Sequence, residues 1–262
     1  AVARINTVRE GPAAGPSSPS HHRYIGRETF FKMDLLSATN KQTFVFFEWA
    51  RFKETWFFLR QRPQQLARAL VQLGASVIFI EPPSQEGEVG LEFELVDFNI
   101  WRCKPWLSKP EIITNCLSEL ESMLPESIWI VHHPRWAQSM NQRVSLDRTI
   151  IYDCMDYWTE FPGANSSDHV WETRLASTAD LVLASSLPLY MHMKRMNPFV
   201  YYVSNAVYEP DFDSILPEAE DLRGISTPRL LFVGSIEGWV DLELIDFLAT
   251  SRPQWSGFQA AR

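Results

Sequence analysis

"RQRPQQLARALVQLGASVIFIEPP", residues 60–83, contains a helix and a strand joined by a single glycine turn. Leu66, Ala69, Leu70 and Leu73 recur at i, i+3, i+4 and i+7, the spacing of one buried helical stripe. Pro63 suits the first turn of that helix and Gly74 its C-terminal cap. "SVIFI" (76–80) is an unbroken apolar run, the pattern of a parallel strand covered on both faces. "TFVFFE" (43–48) has the same character. Strand, helix and strand over roughly the 30 or more residues that such a unit needs predict a βαβ unit.

The alternation continues along the chain. "LVDFNIWRC" (95–103) reads as one strand, and Ile113, Cys116, Leu117, Leu120 and Leu124 line a helix that Pro125 ends. "SIWIVHHP" (127–134), "RTIIYDC" (148–154), "DLVLASS" (180–186) and "FVYYVSNAV" (199–207) read as strands. "HVWETRLASTA" (169–179) and "LPLYMHMKRM" (187–196) read as helices. With no strong hairpin signal, this order predicts an α/β, Rossmann-like doubly wound parallel sheet over residues 43–224.

Residues 208–228 are acidic and proline-containing, a linker composition, and place a boundary at 224/225. "RLLFVGSIEGWVDLELIDFLATSRPQW" (229–255) then reads as the first strand, glycine turn and helix of a second Rossmann-like domain, occupying 225–262. "SGFQAAR" (256–262) has its apolar run interrupted by Gly257 and Gln259, and reads as a second domain cut short. Residues 1–42, with "GPAAGPSSPS" at 11–20, read as a flexible leader.

Composition narrows the function. The chain has 262 residues, 45% of them hydrophobic, ample for a core. A net charge of −8 and a pI near 5.3 argue against a surface built for nucleic acid. Cys103, Cys116 and Cys154 lie in no zinc-like spacing and suit reduced thiols in a cytosolic setting. No apolar run approaches the roughly 20 residues of a membrane span. "EWARFK" (48–53) stands where a dinucleotide-binding glycine motif would follow the first strand, and no P-loop pattern occurs.

Ligands of open parallel sheets bind beyond the carboxyl ends of the strands. The predicted strands end in Glu48-Trp49-Ala50-Arg51, Glu81-Pro82-Pro83, His132-His133-Pro134-Arg135, Asp153-Cys154-Met155-Asp156, Ser185-Ser186 and Ser204-Asn205. Wet strand ends and helix capping account for Ser185, Ser186 and Glu81 better than ligand binding does. Adjacent imidazoles are costly to bury and useful as donors, which makes His132 and His133 the leading candidates. Asp153 and Asp156 read either as a carboxylate pair or as a cap and a solvated side chain. A metal held by these groups and a Cys154 nucleophile lack diagnostic spacing, and "DFD" (211–213), though it has the D-x-D form of a metal–nucleotide site, lies in the acidic linker and not after a strand.

Taken together, "RQRPQQLARALVQLGASVIFIEPP", "VHHPRWA", "IIYDCMDYWTEFPG", "LASTADLVLASS", "VSNAVYEPDF" and the 229–255 stretch resemble bacterial GT-B glycosyltransferases of the group-1 (GT4-like) kind. The subgroup with an R-P-Q-H/Q-L-A segment, which includes teichuronic-acid and other surface-polysaccharide transferases, is the most similar. The resemblance spans about residues 43–257. It implies two Rossmann-like domains, the first holding a saccharide or lipid-linked acceptor and the second a nucleotide-diphosphate sugar, with no metal or other cofactor. It implies His132 and His133 as catalytic, Trp49, Arg51, Arg135, Asp153 and Asp156 as acceptor-binding, and Asn205, Gly234 and Ser235 as donor-binding. A cytoplasmic location follows, with peripheral contact at the inner face of the membrane an option.

The chain departs from the family pattern at the domain crossing, where Ala206 replaces Gly and Tyr208 replaces Asp. Glu237, Trp239 and Asp241 stand where cations are usual, and no E-x7-E segment follows. The resemblance therefore implies a chain that lacks transfer activity because its donor side is incomplete. A saccharide- or partner-binding module and another GT-B-shaped enzyme, such as a nucleotide-sugar epimerase, are the alternatives.

Overall fold

The computed structural model describes residues 6–8, 42–48, 61–82, 90–106, 113–140, 148–161, 163–207, 217–234, 236, 238 and 240–260. The chain divides into two compact units, Tyr24–Tyr208 and Glu209–Arg262 with Ala1–Arg23. This division falls ahead of the break expected at 224/225. Arg229 ties the preceding segment to the second unit, its guanidinium donating to the Ile225 carbonyl (2.9 and 2.6 Å) and pairing with Glu218.

The first unit is built on strands β2 (Thr43–Phe47), β3 (Ser76–Ile80), β4 (Gly90–Asp97), β5 (Ile100–Trp106), β6 (Ile128–Val131), β7 (Ile150–Cys154), β8 (Leu181–Ala184) and β9 (Val200–Tyr202). Its helices are α1 (Arg62–Gln72), α2 (Ile113–Met123), α3 (Trp136–Met140), α4 (Ser166–Thr178) and α5 (Leu187–Met193). The strand order is β4-β5-β3-β2-β6-β7-β8-β9, and every pairing but β4 with β5 is parallel. From β2 the chain winds outward through β3 and β5, then returns to the other side of β2 at β6. The carboxyl ends of β2 and β6 therefore form the topological switch point, where open sheets of this type leave a crevice.

The two sheet faces bury two apolar layers. Phe46, Val77, Phe79, Ile100 and Ile130 meet Ala67, Leu66 and Leu70 of α1. Val45, Phe47, Ile78, Ile80, Trp129, Val131 and Val182 meet α2, α3, α4 and α5 through Leu117, Leu120, Trp136, Leu175 and Met193. This two-sided cover is why β2 and β3 are continuously apolar rather than alternating.

Three expectations change. The stripe assigned to α1 is rotated: Ala67 is buried and Leu66 and Leu70 half-buried against the sheet, whereas Ala69 is exposed and Leu73 is 85% exposed. A small side chain at 67 lets the helix lie close to the rings of Phe46 and Phe79. The single strand read in 95–103 is the two arms of an antiparallel hairpin, with Leu95 opposite Trp101 and a turn at Phe98–Asn99. Asn99 takes φ 55°, a left-handed conformation that asparagine tolerates, and the Asp97 carboxylate accepts the Phe98 N–H at 2.7 Å. The strand read over 199–207 is confined to β9.

The second unit contains β10 (Arg229–Val233), α6 (Leu242–Ser251) and β11 (Ser256–Ala260), together with β1 (Asn6–Val8) from the stretch expected to be a leader. Its sheet runs β1-β11-β10, all parallel. Ser256–Ala260 is therefore a strand despite Gly257 and Gln259, because the ladder from Arg229↔Ser256 to Val233↔Ala260 needs only main-chain groups. Asp241 caps α6 by accepting the Leu244 N–H at 2.8 Å. Leu230, Leu231, Phe232 and Val233 of β10 and Leu242, Leu244 and Phe247 of α6 are exposed.

Candidate functional site

The switch point is filled by a chain of charges. Glu48 follows β2, His132 follows β6, and Asp153 lies near the end of β7, three neighbouring strand ends. The backbone N–H of His132 donates to the Phe47 carbonyl at 3.2 Å, fixing the histidine beside β2. Its Nδ1 lies 3.1 Å from Glu48 Oε1 and its Nε2 3.5 Å from Asp153 Oδ2; these are ion-pair contacts without hydrogen-bond geometry. The edge of the imidazole meets Phe46, with ring centroids 5.0 Å apart.

Asp153 in turn accepts from Arg62 Nε at 3.0 and 2.9 Å. Arg62 Nη1 reaches the chain leaving β9, donating to the carbonyls of Val203 (2.8 Å) and Ser204 (3.1 Å) and to Asn205 Oδ1 (3.4 Å). Glu48, His132 and Asp153 are buried. Burial alone would make His132 neutral, but Glu48 and then Asp153 outweigh it and raise its pKa to about 9. Burial likewise opposes the Asp153 charge, yet His132 and Arg62 hold its pKa below the usual value. The ion-paired state is thus the one that the fold favours at neutral pH.

A second cluster forms the outer lip. His133 is half-buried, and its ring lies against Trp158 with centroids 4.6 Å apart. Burial, then the Arg135 charge, lowers its pKa to about 4. It is therefore neutral at pH 7. Its Nδ1 accepts the Arg135 backbone N–H at 3.2 Å, so Nε2 carries the proton and is the donor. The Arg135 side chain, 57% exposed, grips Asp168 in a fork, Nε to Oδ1 at 2.7 Å and Nη2 to Oδ2 at 2.9 Å. Asp168 also accepts the Asn165 N–H at 3.0 Å while the Asn165 side chain accepts back from Ser167 and Asp168, a reciprocal cap on α4. These contacts stitch the loop after β6 to the loop after β7. Asp156 in that second loop is exposed.

The expected site residues therefore separate. His132 and Asp153 lie inside the charge network and are closed off from solvent, whereas His133, Arg135 and Asp156 reach the surface. Asn205 is exposed and joined to the network by Arg62. Gly234 belongs to the second unit and has φ 146°, a conformation that favours glycine. Trp49, Arg51, Ser235, Glu237, Trp239, Tyr208 and "DFD" at 211–213 lie outside the described residues. Cys154 is buried and burial raises its thiol far above the usual range, which removes it as a nucleophile at neutral pH. Ser186 caps α5 and Ser185 donates to the Met155 carbonyl at 2.6 Å.

Sequence reasoning missed Arg62. A cation in the first turn of a helix opposes the helix dipole, and that local conflict was the available signal that it had a carboxylate partner elsewhere. Glu48 stood among the strand-end residues, but nothing in the sequence distinguished a buried carboxylate from a wet one. Among the described residues no group of three or more His, Cys, Asp or Glu side chains is arranged to hold a metal ion, and no helix is long and apolar enough to cross a membrane.

The eight-stranded, almost wholly parallel sheet with helices on both faces and a polar switch point is a Rossmann-like α/β fold of the GT-B kind. Among solved structures it is similar to a sucrose-phosphate synthase from Thermosynechococcus elongatus, at 9% identity and a TM-score of 0.61 over 84% of this chain and 62% of that one. It is also similar to a UDP-forming α,α-trehalose-phosphate synthase from Burkholderia vietnamiensis, at 10% identity and a TM-score of 0.59 over 84% of this chain and 64% of that one. A candidate UDP-N-acetylglucosamine 2-epimerase from Listeria monocytogenes matches at 12% identity and a TM-score of 0.50, over 84% of this chain and 62% of that one. The chain thus spans less than two thirds of the length of these structures, and at such identities the likeness is one of fold. No protein-family model matches the sequence, and no curated protein matches it.

Proposed function

We propose that this chain belongs to a GT-B glycosyltransferase that moves a sugar from a nucleotide-diphosphate donor to a saccharide or lipid-linked acceptor, in cell-surface polysaccharide synthesis at the inner face of the cytoplasmic membrane. The observation that carries this reading is the polar carboxyl edge of the sheet, with His133 and Arg135 in the loop after β6 and exposed Asp156 in the loop after the neighbouring β7. Sequence resemblance and fold likeness support it from separate directions.

In this reaction an acceptor hydroxyl oxygen forms a bond to the anomeric carbon. The bond to the diphosphate breaks, and the diphosphate leaves with the electron pair while the hydroxyl proton is released. His133, held as the Nε2–H tautomer, donates to an oxygen of the reacting sugar. Asp156 and Arg135 hold acceptor hydroxyls, and Trp49 and Arg51 are assigned to the acceptor as well; Asn205, Gly234 and Ser235 serve the donor. His132 and Asp153 act from behind by fixing the strand ends. Catalysis rests on positioning and on stabilising the leaving diphosphate, with no cofactor.

The test is incubation with UDP-, GDP-, ADP- and dTDP-sugars and a set of saccharide acceptors, following nucleoside diphosphate release and product mass. Acceptor-dependent release supports the reading, and His133→Ala should lower it by about 100-fold. Inversion at C2 of a UDP-sugar without an acceptor would favour the second reading, an epimerase, which the Listeria structure's fold suggests. Neither reaction, together with no saccharide binding, would refute both. The first unit carries the acceptor side by itself, so saccharide binding is expected whether or not the chain turns a donor over.

A further inference from the structure

The lip contains a row of rings that the charge network does not use. His133 lies 4.6 Å from Trp158, and Trp158 lies 5.3 Å from Phe161 at an interplanar angle of 34°. Trp158 is buried, while Phe161 at the end of the row is 39% exposed. The row is rigidly built. Trp158 sits in a short 3-10 turn, Trp158–Glu160, and the Arg135–Asp168 fork clamps the surrounding loop to the neighbouring strand end. Arg135 Nη2 also lies 3.5 Å from the Gly163 carbonyl, two residues past Phe161.

Polar groups flank the rings. Arg135 is more than half exposed, and its Nη1 makes no hydrogen bond among the described residues. His133 presents Nε2–H, and Asp156, two residues before Trp158, is exposed. An acyl chain would be served by a continuous apolar groove, in which an exposed guanidinium and carboxylate are costly. A pyranose has the complementary character, one face of C–H groups for the rings and an edge of hydroxyls for the charged groups.

We propose that His133, Trp158 and Phe161, with Arg135 and Asp156 beside them, form a saccharide-stacking subsite that recognises the acceptor by the face of a pyranose ring. The assignment rests on the glycosyl-transfer reading for its role as the acceptor side, but the binding it predicts is measurable without turnover. Recognition of a lipid-linked acceptor would then reside in its sugar rather than its lipid.

The experiment is saturation-transfer NMR on the 262-residue chain with the methyl glycosides of glucose, galactose, mannose and N-acetylglucosamine, repeated with Phe161→Ala and Phe161→Leu. At least one glycoside should bind, with saturation strongest at its ring C–H protons, and both variants should weaken it by about tenfold. Phe161→Leu keeps an apolar side chain, so full binding by that variant would replace stacking by a plain apolar contact and overturn the proposal. So would the absence of binding by every glycoside, or binding indifferent to both changes. Circular dichroism confirms that the variants fold. The two readings fail separately. Binding that depends on Phe161, with inversion at C2 of a UDP-sugar in place of acceptor-dependent release, keeps the subsite and sinks the transferase. Acceptor-dependent release whose acceptor KM is unmoved by Phe161→Ala does the reverse.

Discussion

Asp153→Asn tests the charge network most directly, since it keeps the shape of the side chain and removes its charge. Asp153 is buried between two cations, accepting from Arg62 Nε at 2.9 Å and lying 3.5 Å from His132 Nε2. The substitution leaves Arg62 and His132 facing a neutral amide, with Glu48 as the one remaining carboxylate of the network. Removing one partner of a buried ion pair costs about 3–5 kcal/mol. With a urea m-value of about 2 kcal/mol per molar, the unfolding midpoint should fall by about 2 M at pH 7. Asp156→Asn, at an exposed position, is the control and should stay within about 0.5 kcal/mol of the parent.

The pH profile sharpens this test. The pKa of His132 is raised in the folded chain, so its stabilisation is complete below the unfolded value of 6.5 and is lost as pH rises through about 9. The rise from 6.5 to about 9 corresponds to about 3 kcal/mol. The pKa of Asp153 is lowered, so its contribution is present above the unfolded value of 3.8 and is lost as pH falls through its folded value. The parent should therefore be most stable between about pH 3.8 and 6.5 and lose stability as pH rises from 6.5 to about 9. In Asp153→Asn the alkaline loss should be smaller and end at a lower pH, because one of the two groups raising His132 is gone. A midpoint shift under about 0.5 M, with the His132 ring still titrating near 9 by NMR, would refute the reasoning.

Other perturbations follow from single contacts. Tyr152 donates to Glu172 Oε1 at 2.9 Å with both residues buried, so Tyr152→Phe should cost about 1–3 kcal/mol in urea unfolding by leaving the carboxyl without its donor. Arg62→Ala removes the donors to Val203, Ser204 and Asn205, so hydrogen exchange across 203–207 should speed up more than in the core strand β3. Asn165→Ala removes the acceptor for the N–H groups of Ser167 and Asp168 and should cost about 1 kcal/mol, read as a lower thermal midpoint.

The parts of this structure legible in the sequence were those set by local period. "SVIFI" and "TFVFF" could be read as parallel strands because two-sided burial demands continuous apolarity, and both are strands in register with each other. The hairpin at 95–103 escaped because its turn residues, Asp97 and Asn99, are each flanked by apolar neighbours and form no adjacent turn pair. The rotated face of α1 escaped because a stripe containing alanine and leucine reads equally well at two settings. Which leucine faces the sheet depends on the rings of Phe46 and Phe79 opposite it.

The candidate site shows the same limit more sharply. Strand-end position picked out His132, His133, Asp153 and Asp156, since in a parallel sheet chain order fixes which residues leave the carboxyl edge. It could not say which of two adjacent histidines turns inward. That was decided by Glu48 and Asp153, which the strand order β2-β6-β7 brings to either side of His132. Ion pairing makes a buried imidazolium affordable there, while His133, lacking such partners, stays neutral against Trp158. The sequence by itself determined most strands and helices of the first unit and the edge at which chemistry gathers, because each follows from spacing along the chain. Only the tertiary structure decided which charges meet across 91 residues from Arg62 to Asp153, because Coulomb attraction depends on distance through space and carries no period.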